Sequence, residues 1–398
     1  MNKREYLTRT FLGTAVALAQ SAAIAQTWTA LDPLPAPARD AAICFAIDDK
    51  VYLGGGFGRK DFFQYDPGTL AWTAKPNIPG VATERAFAAC FAVNGKGYVC
   101  LGNDGSTFKQ DLWEYDPAMN TWTEKEPYPS TARNTAFGFG LDGYGYVCGG
   151  ADNDYIYSDF YRYDPVADDW TLIGALPGGP TAFGSTFVIG NYAYLMGGDH
   201  GSPETAEVYR FDPVNGEWTP RADFIGAPRQ TGVAFTLGGA GYFGAGQSGY
   251  TTAYADIYSY DPDADSWSPA GTFEGGVRCW SAACNTADKA FMGTGWDFGA
   301  NFFNDWWSFT AAVGMDDALA FEQPASLFPV PATDVLNIQW GSMTGSVVIT
   351  DATGRTVLSA TVVNGRAEVD VRSLPAGSYQ VMLTERNGHR VRSSFTRS

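Results

Sequence analysis

The side chains in this sequence whose type and placing most suggest chemistry are five arginines: Arg39, Arg85, Arg133, Arg229 and Arg278. Each opens a similar short run of small and apolar residues, so all five should reach the same rim of whatever those runs build. A guanidinium grips a carboxylate with two parallel hydrogen bonds, so such a rim would suit an acidic partner. The competing reading is that the arginines satisfy backbone carbonyls and local acids such as Asp40 and Glu84. Where the phase calls for a sixth arginine the chain has Thr181, which leaves an arc of five. Trp280, His200, Tyr250 and Trp296 lie in or beside the segments expected at the same rim and complete the candidate ligand-binding set.

Other chemistry is thinly supplied. His200 and His389 are the two histidines in the chain. Asp261, Asp263 and Asp265 start like a calcium loop, but Ser266 and Thr272 stand where such a loop needs Gly and Glu, so turn chemistry is the expectation. No Ser-His-Asp arrangement, phosphate-cradling glycine loop or C-x-x-C pair stands out, so no catalytic residue, metal or cofactor is assigned. Cys44 and Cys90 occupy matching places in successive repeats, as do Cys100 and Cys148. In-phase cysteines of this kind read as small core residues rather than disulfide partners. The formal charge of −17 excludes a phosphate backbone as a natural partner, so nucleic acid is not expected.

The elements that must position the arginines repeat. An aromatic-Asp-Pro turn starts at Tyr65, Tyr115, Tyr163, Phe211 and Tyr260, spaced by 50, 48, 48 and 49 residues. A fixed period of that size marks a repeat architecture. Within each repeat the arginine leads into one strand, and a hairpin turn such as Asn94-Gly95 or Asp142-Gly143 leads into a second. The second strand ends in a glycine step, as in Tyr146-Val147-Cys148-Gly149-Gly150. A variable loop follows, then a third strand ending at the aromatic-Asp-Pro turn, and a Trp marks a fourth. Four antiparallel strands at this period describe a propeller blade.

The spacing also predicts how the ring closes. Trp122, Trp170, Trp218 and Trp267 each precede the next arginine position by 11 residues, and Trp28 precedes Arg39 by the same 11. The sixth repeat has a third strand at Trp306–Phe309 but lacks the following Asp-Pro and Trp. The strand carrying Trp28 should therefore complete blade six. The expectation is an all-β, six-bladed propeller over 26–310 closed by its N-terminal strand.

The ends read differently. Met1–Ala25 has a basic start, an apolar Ala-rich run and a small-x-small finish at Ala23-Ile24-Ala25, the pattern of a secretory signal. That run is too short for a stable span, and no transmembrane segment is expected. Residues 311–327 read as a linker. Residues 328–398 are Val-rich and net basic, with strand-spaced apolar clusters separated by turns such as Asn364-Gly365 and Asn387-Gly388, which predicts a small Ig-like β-sandwich.

The paired glycines, the Tyr before them and the Trp after the third strand resemble the markers of the Kelch-repeat β-propeller family, in phase over six copies. That resemblance implies function on the variable loops of one face, with the arginine arc at the channel mouth available to an acidic partner. The leading expectation is a non-catalytic module binding a protein or glycan. The alternative is an enzyme of the sialate mutarotase type, an isomerase on the same kind of propeller, using an acid such as Glu84 or Glu204 with a channel arginine. A copper oxidase of the galactose oxidase type is disfavoured by the scarcity of His. The tail resembles the C-terminal sorting domain of type IX secretion cargo. Its matching residues are Phe328-Pro329, Pro331-Ala332-Thr333-Asp334, Leu336, Asp351, Gly354-Arg355, Leu374-Pro375-Ala376-Gly377 and Tyr379, with Val330 where that family usually has Asn. It implies recognition by the type IX machinery, passage through the periplasm, and a secreted or surface location.

Overall fold

The computed structural model describes residues 27–201, 204–249, 251–311, 326–340, 345–350, 356–363, 365–385 and 390–397. The expected signal segment, Tyr250, His389 and most of the expected linker lie outside the described residues. What is described is all β, without a helix.

Blade 1 consists of Ala42–Ile47, Lys50–Gly55, Phe62–Asp66 and Ala71–Lys75, hydrogen-bonded in that order. Blades 2 to 5 repeat the pattern, with innermost strands Ala89–Val93, Phe137–Leu141, Ser185–Ile189 and Val233–Leu237. Blade 6 takes three strands from the end of the series, Ala282–Asn285, Ala290–Gly293 and Trp306–Thr310. Its outermost strand is Thr27–Leu31, antiparallel to Trp306–Thr310 with Trp28 opposite Phe309. The strand carrying Trp28 thus completes blade six, as the 11-residue spacing predicts.

Aromatic stacking holds neighbouring blades together. In five blades a Phe of the first strand faces a Tyr of the second, as in Phe91 against Tyr98 and Phe139 against Tyr146, both at 4.9 Å. The phenyl rings also press on the next blade: a Cβ built on Gly97 would lie 2.2 Å from the Phe45 ring, and one on Gly145 2.1 Å from Phe91. Glycine is required there because a neighbour's ring already fills the space. The marker tryptophans bridge blades differently. Trp72, Trp122, Trp170 and Trp267 donate their indole N–H to the carbonyls of Asp32, Pro76, Glu126 and Ala222, each at 2.9–3.1 Å. At the aromatic-Asp-Pro turns the Asp caps the chain two residues on; Asp261 accepts the N–H groups of Asp263 and Ala264, which is turn chemistry.

The tail forms two antiparallel sheets. One joins Ser326–Phe328, Val335–Gln339 and Arg366–Asp370; the other joins Thr356–Val362, Gly345–Thr350, Gly377–Glu385 and Arg390–Arg397. Leu336, Ile338, Val347, Ile349, Val381, Leu383 and Phe395 fill the core between them. The first strand takes in Ser326 and Leu327, which the composition shift alone places in the linker.

Candidate functional site at the channel mouth

The five arginines are not a free rim. All are buried at 0–1% exposure, and each is clasped by its own blade. Arg133 Nη1 donates to the carbonyl of Gly149 at 3.1 Å and to Asp159 Oδ1 at 2.5 Å, and Nη2 reaches Asp159 Oδ2 at 3.0 Å. Arg39, Arg85, Arg229 and Arg278 pair in the same way with Asp61, Asp111, Asp256 and Asp305. Each also donates to the carbonyl 16 residues on, at the glycine step. Ring faces close the slot: Arg133 lies 3.6 Å from the Tyr157 centroid, Arg229 4.2 Å from Tyr254, and Arg278 3.6 Å from Phe303. The ligand-binding reading of the arginines is therefore corrected. Their carboxylates are already supplied in cis, and by different acids from the Asp40 and Glu84 suggested by proximity in sequence.

What faces the channel is the residue two places after each arginine position. Ala41, Phe87, Thr135, Phe183, Thr231 and Trp280 all have φ between 52° and 57°. Around the ring, Ala41 N–H donates to Trp280 O, Phe87 to Ala41, Thr135 to Phe87, Phe183 to Thr135 and Thr231 to Phe183, at 3.0–3.2 Å. That left-handed conformation costs a non-glycine residue roughly 1–2 kcal/mol. The residues that bear it carry side chains the mouth uses. Phe87, Phe183 and Trp280, from alternate blades, meet edge to face, with Phe87 5.4 Å from Trp280 and 6.1 Å from Phe183. They narrow the entrance to a channel of about 440 Å³ walled by small residues such as Cys44, Cys90, Gly138, Thr186, Ala234 and Ala283.

An aromatic ledge runs outward from this constriction. Trp296 stacks on Trp280 at 5.6 Å with 20° between planes, and Phe302 stacks on Trp296 at 6.1 Å and 15°. Phe57 stands edge-on to Phe87 at 5.2 Å, and Phe57 and Phe302 are 46% and 50% exposed. The same face of the ring also carries buried polar atoms. Asp40 Oδ1, Glu84 Oε1, Thr135 Oγ1, Thr231 Oγ1, the Trp280 indole N–H and both amide atoms of Gln247 have no hydrogen-bond partner among the described residues.

Comparison with known proteins agrees with this geometry. Residues 22–198 match the KLHDC2/KLHL20/DRC7 Kelch-repeats domain, and residues 180–224 match the Kelch motif. The ring is a Kelch propeller. The solved structure of YjhT resembles it with a TM-score of 0.60 at 19% identity, over 69% of this chain and 96% of that one, a likeness of fold alone. Residues 326–394 match the secretion system C-terminal sorting domain, which indicates export to the cell surface or beyond. No curated protein matches the chain. No helix among the described residues is long and apolar enough to cross a membrane.

Two groups at the mouth of the Kelch propeller have unusual settings. Burial pushes the Asp40 carboxyl up to about 6, opposed in part by its own backbone N–H and reinforced by the nearby Glu84 charge. Glu84 Oε2 accepts the Gly58 N–H at 2.6 Å and so ties the first variable loop to the blade 1–2 link. Glu204 has a similar tethering role, accepting the Gly249 N–H at 2.7 Å. Because an acid raised in the folded state binds its proton more tightly there, Asp40 favours folding below its ordinary value near 4 and loses that advantage as pH rises through about 6. Asp40→Asn should therefore stabilise the protein at pH 7.5 by about 1–3 kcal/mol and do little at pH 4. Paired thermal melts at the two pH values check this; equal shifts at both would refute it.

The remaining sequence-assigned residues divide. Trp280 and Trp296 do meet at the mouth. His200 instead sits in blade 4, where the arginine is missing: its Nε2 lies 3.1 Å from Thr181 Oγ1. Glu207 occupies the clasp-aspartate position there, its Oε2 accepting the Tyr209 hydroxyl at 3.1 Å. Sequence reasoning missed the five clasp aspartates, although each directly precedes the first apolar residue of the third strand: Phe62, Leu112, Phe160, Ile257 and Trp306. It also missed Arg59, on the first variable loop, whose guanidinium donates to Gly58 O and makes no ion pair among the described residues.

Proposed function

We propose that this exported Kelch propeller is a non-catalytic binding module whose variable-loop face takes a glycan at the channel mouth. The observation that carries the reading is the stacked ledge Trp280–Trp296–Phe302 beside unpartnered polar groups of Asp40, Gln247 and Thr231. Flat rings meet the C–H face of a sugar, and polar groups at their edge meet its hydroxyls. The acid and the amide supply both an acceptor and a donor. A protein ligand would use the same face, and capture of a surface protein without any glycan signal would favour it.

Titration calorimetry of the exported protein against hits from a glycan array is the direct test. Trp296→Ala should weaken binding by about five- to thirtyfold, since a stacked ring contributes on the order of 1–2 kcal/mol. Equal affinity in this variant would remove the ledge from the site. A sialate mutarotase-like isomerase remains the second reading, favoured by a carboxyl that holds its proton to about 6 beside Glu84. It can no longer draw on the five clasped arginines, so Arg59 would have to serve. Exchange NMR on sialic acid anomers decides: an unchanged exchange rate at high protein concentration eliminates the sialate mutarotase reading.

A further inference from the structure

The seam between the last blade and the first brings together two cysteines 240 residues apart, with Cys44 Sγ 2.9 Å from Cys284 Sγ. We propose that in the exported protein these two form a disulfide that links the innermost strands of blades 6 and 1, a covalent closure of the ring beside the hydrogen-bonded one by which Thr27–Leu31 completes blade 6.

Three observations converge on this pair. The first is the residue exchange at the seam. Phe45, Phe91, Phe139, Phe187 and Phe235 hold the position opposite the second-strand Tyr in blades 1 to 5, and blade 6 has Cys284 there, opposite Phe291. Elsewhere that phenyl ring needs a glycine or alanine in the next blade, but at the seam the matching residue is Val51, paired with Tyr65 as Gly97 is with Tyr115. A small residue is thus required at 284, and the sulfur of Cys44 gives a reason for cysteine over alanine. The second is the contrast with the other thiols. Cys90, Cys148 and Cys279 donate to backbone carbonyls of Cys44, Phe137 and Trp296, whereas Cys44 and Cys284 meet sulfur to sulfur. Their separation exceeds a disulfide bond of about 2.05 Å by less than 1 Å. The third is address: the sorting domain takes the protein out of the reducing cytoplasm.

Both thiols give up a proton and together two electrons, and the S–S bond forms as a thiol oxidant in its disulfide form is reduced to a dithiol. The reaction passes through a mixed disulfide with whichever cysteine attacks first. Burial and the neighbouring Cys284 hold the Cys44 thiol well above its ordinary range in the closed ring, so exchange belongs to the stage before the sixth blade docks.

The test is a peptide map of the full chain recovered from an oxidising compartment without reductant, alkylated under denaturing conditions and cut with trypsin. The expected product joins the peptide 40–50 to the peptide 279–289, with fragmentation placing the bond at Cys284 and the other four cysteines alkylated. Reduction should lower the melting temperature by roughly 5–10 °C, a shift absent from Cys284→Ser. Six alkylated cysteines, or a bond from Cys44 to Cys90 in the peptide 86–96, would overturn the proposal. The map on unmodified protein decides even where the variant fails to fold.

Discussion

Asp159→Ala should destabilise the propeller by about 3–5 kcal/mol, measured by urea unfolding, because it leaves the Arg133 guanidinium buried without its counter-charge. The loss exceeds that of a surface ion pair, since Arg133 has no exposed side chain to turn outward. Two carbonyl-directed bonds, to Gly149 and Thr131, would remain, along with the Tyr157 ring face, but none carries negative charge. The control is Arg133→Met with Asp159→Leu. Removing both charges together should recover most of the loss, because an apolar pair of similar volume needs no desolvation of ions. Blade 4 already dispenses with the clasp, having Thr181 and Glu207 in the two positions. If Asp159→Ala matched the double variant in stability, the arginine would be finding solvent and the clasp would not be structural.

Trp28→Ala should be comparably severe, at about 3–5 kcal/mol. The indole is 6% exposed and packs edge-on to Phe273 at 4.8 Å and to Phe235 at 6.2 Å, with Phe309 at 4.8 Å. It therefore ties the N-terminal strand both to its own blade and to blade 5. Deleting the strand through Leu31 goes further, exposing Trp306–Thr310 as an unpaired edge. Size-exclusion chromatography should then show a shift toward dimers or aggregates relative to the intact protein. A truncated form that melted and eluted like the parent would mean the ring does not depend on this closure. Oxidation at Cys44 and Cys284 should soften both effects, because a covalent inner seam keeps the two blades near each other when the outer strand is lost.

Much of the fold was legible before any coordinates because repeats convert local chemistry into global architecture. Asp-Pro turns, glycine steps and tryptophans recur in phase, so one blade's hydrogen bonding predicts the next. The position of Trp28 followed from the same phase, since closure requires one repeat to be split between the termini. The sorting tail was equally legible from its ordered motif blocks and alternating apolar residues.

The site was less legible, for a physical reason that the arginines illustrate. A guanidinium satisfies whatever carboxylate lies within hydrogen-bond reach, and reach is set by strand register rather than by neighbours in sequence. Asp40 adjoins Arg39 in the chain, yet the partner is Asp61, brought in by the third strand of the same blade. His200 likewise reads as a loop residue until the fold sets it against Thr181 in the vacant clasp. Sequence alone determined the number of blades, their order, the closing strand and the export address, all properties of periodic local pattern. Tertiary structure decided which arginines are structural, that Phe87, Phe183 and Trp280 converge on one mouth, and that Cys44 meets Cys284 across 240 residues. The clasps form across a blade once strand register is set, and the mouth and the cysteine pair form between blades once the ring has closed, so neither can be read from neighbours in sequence.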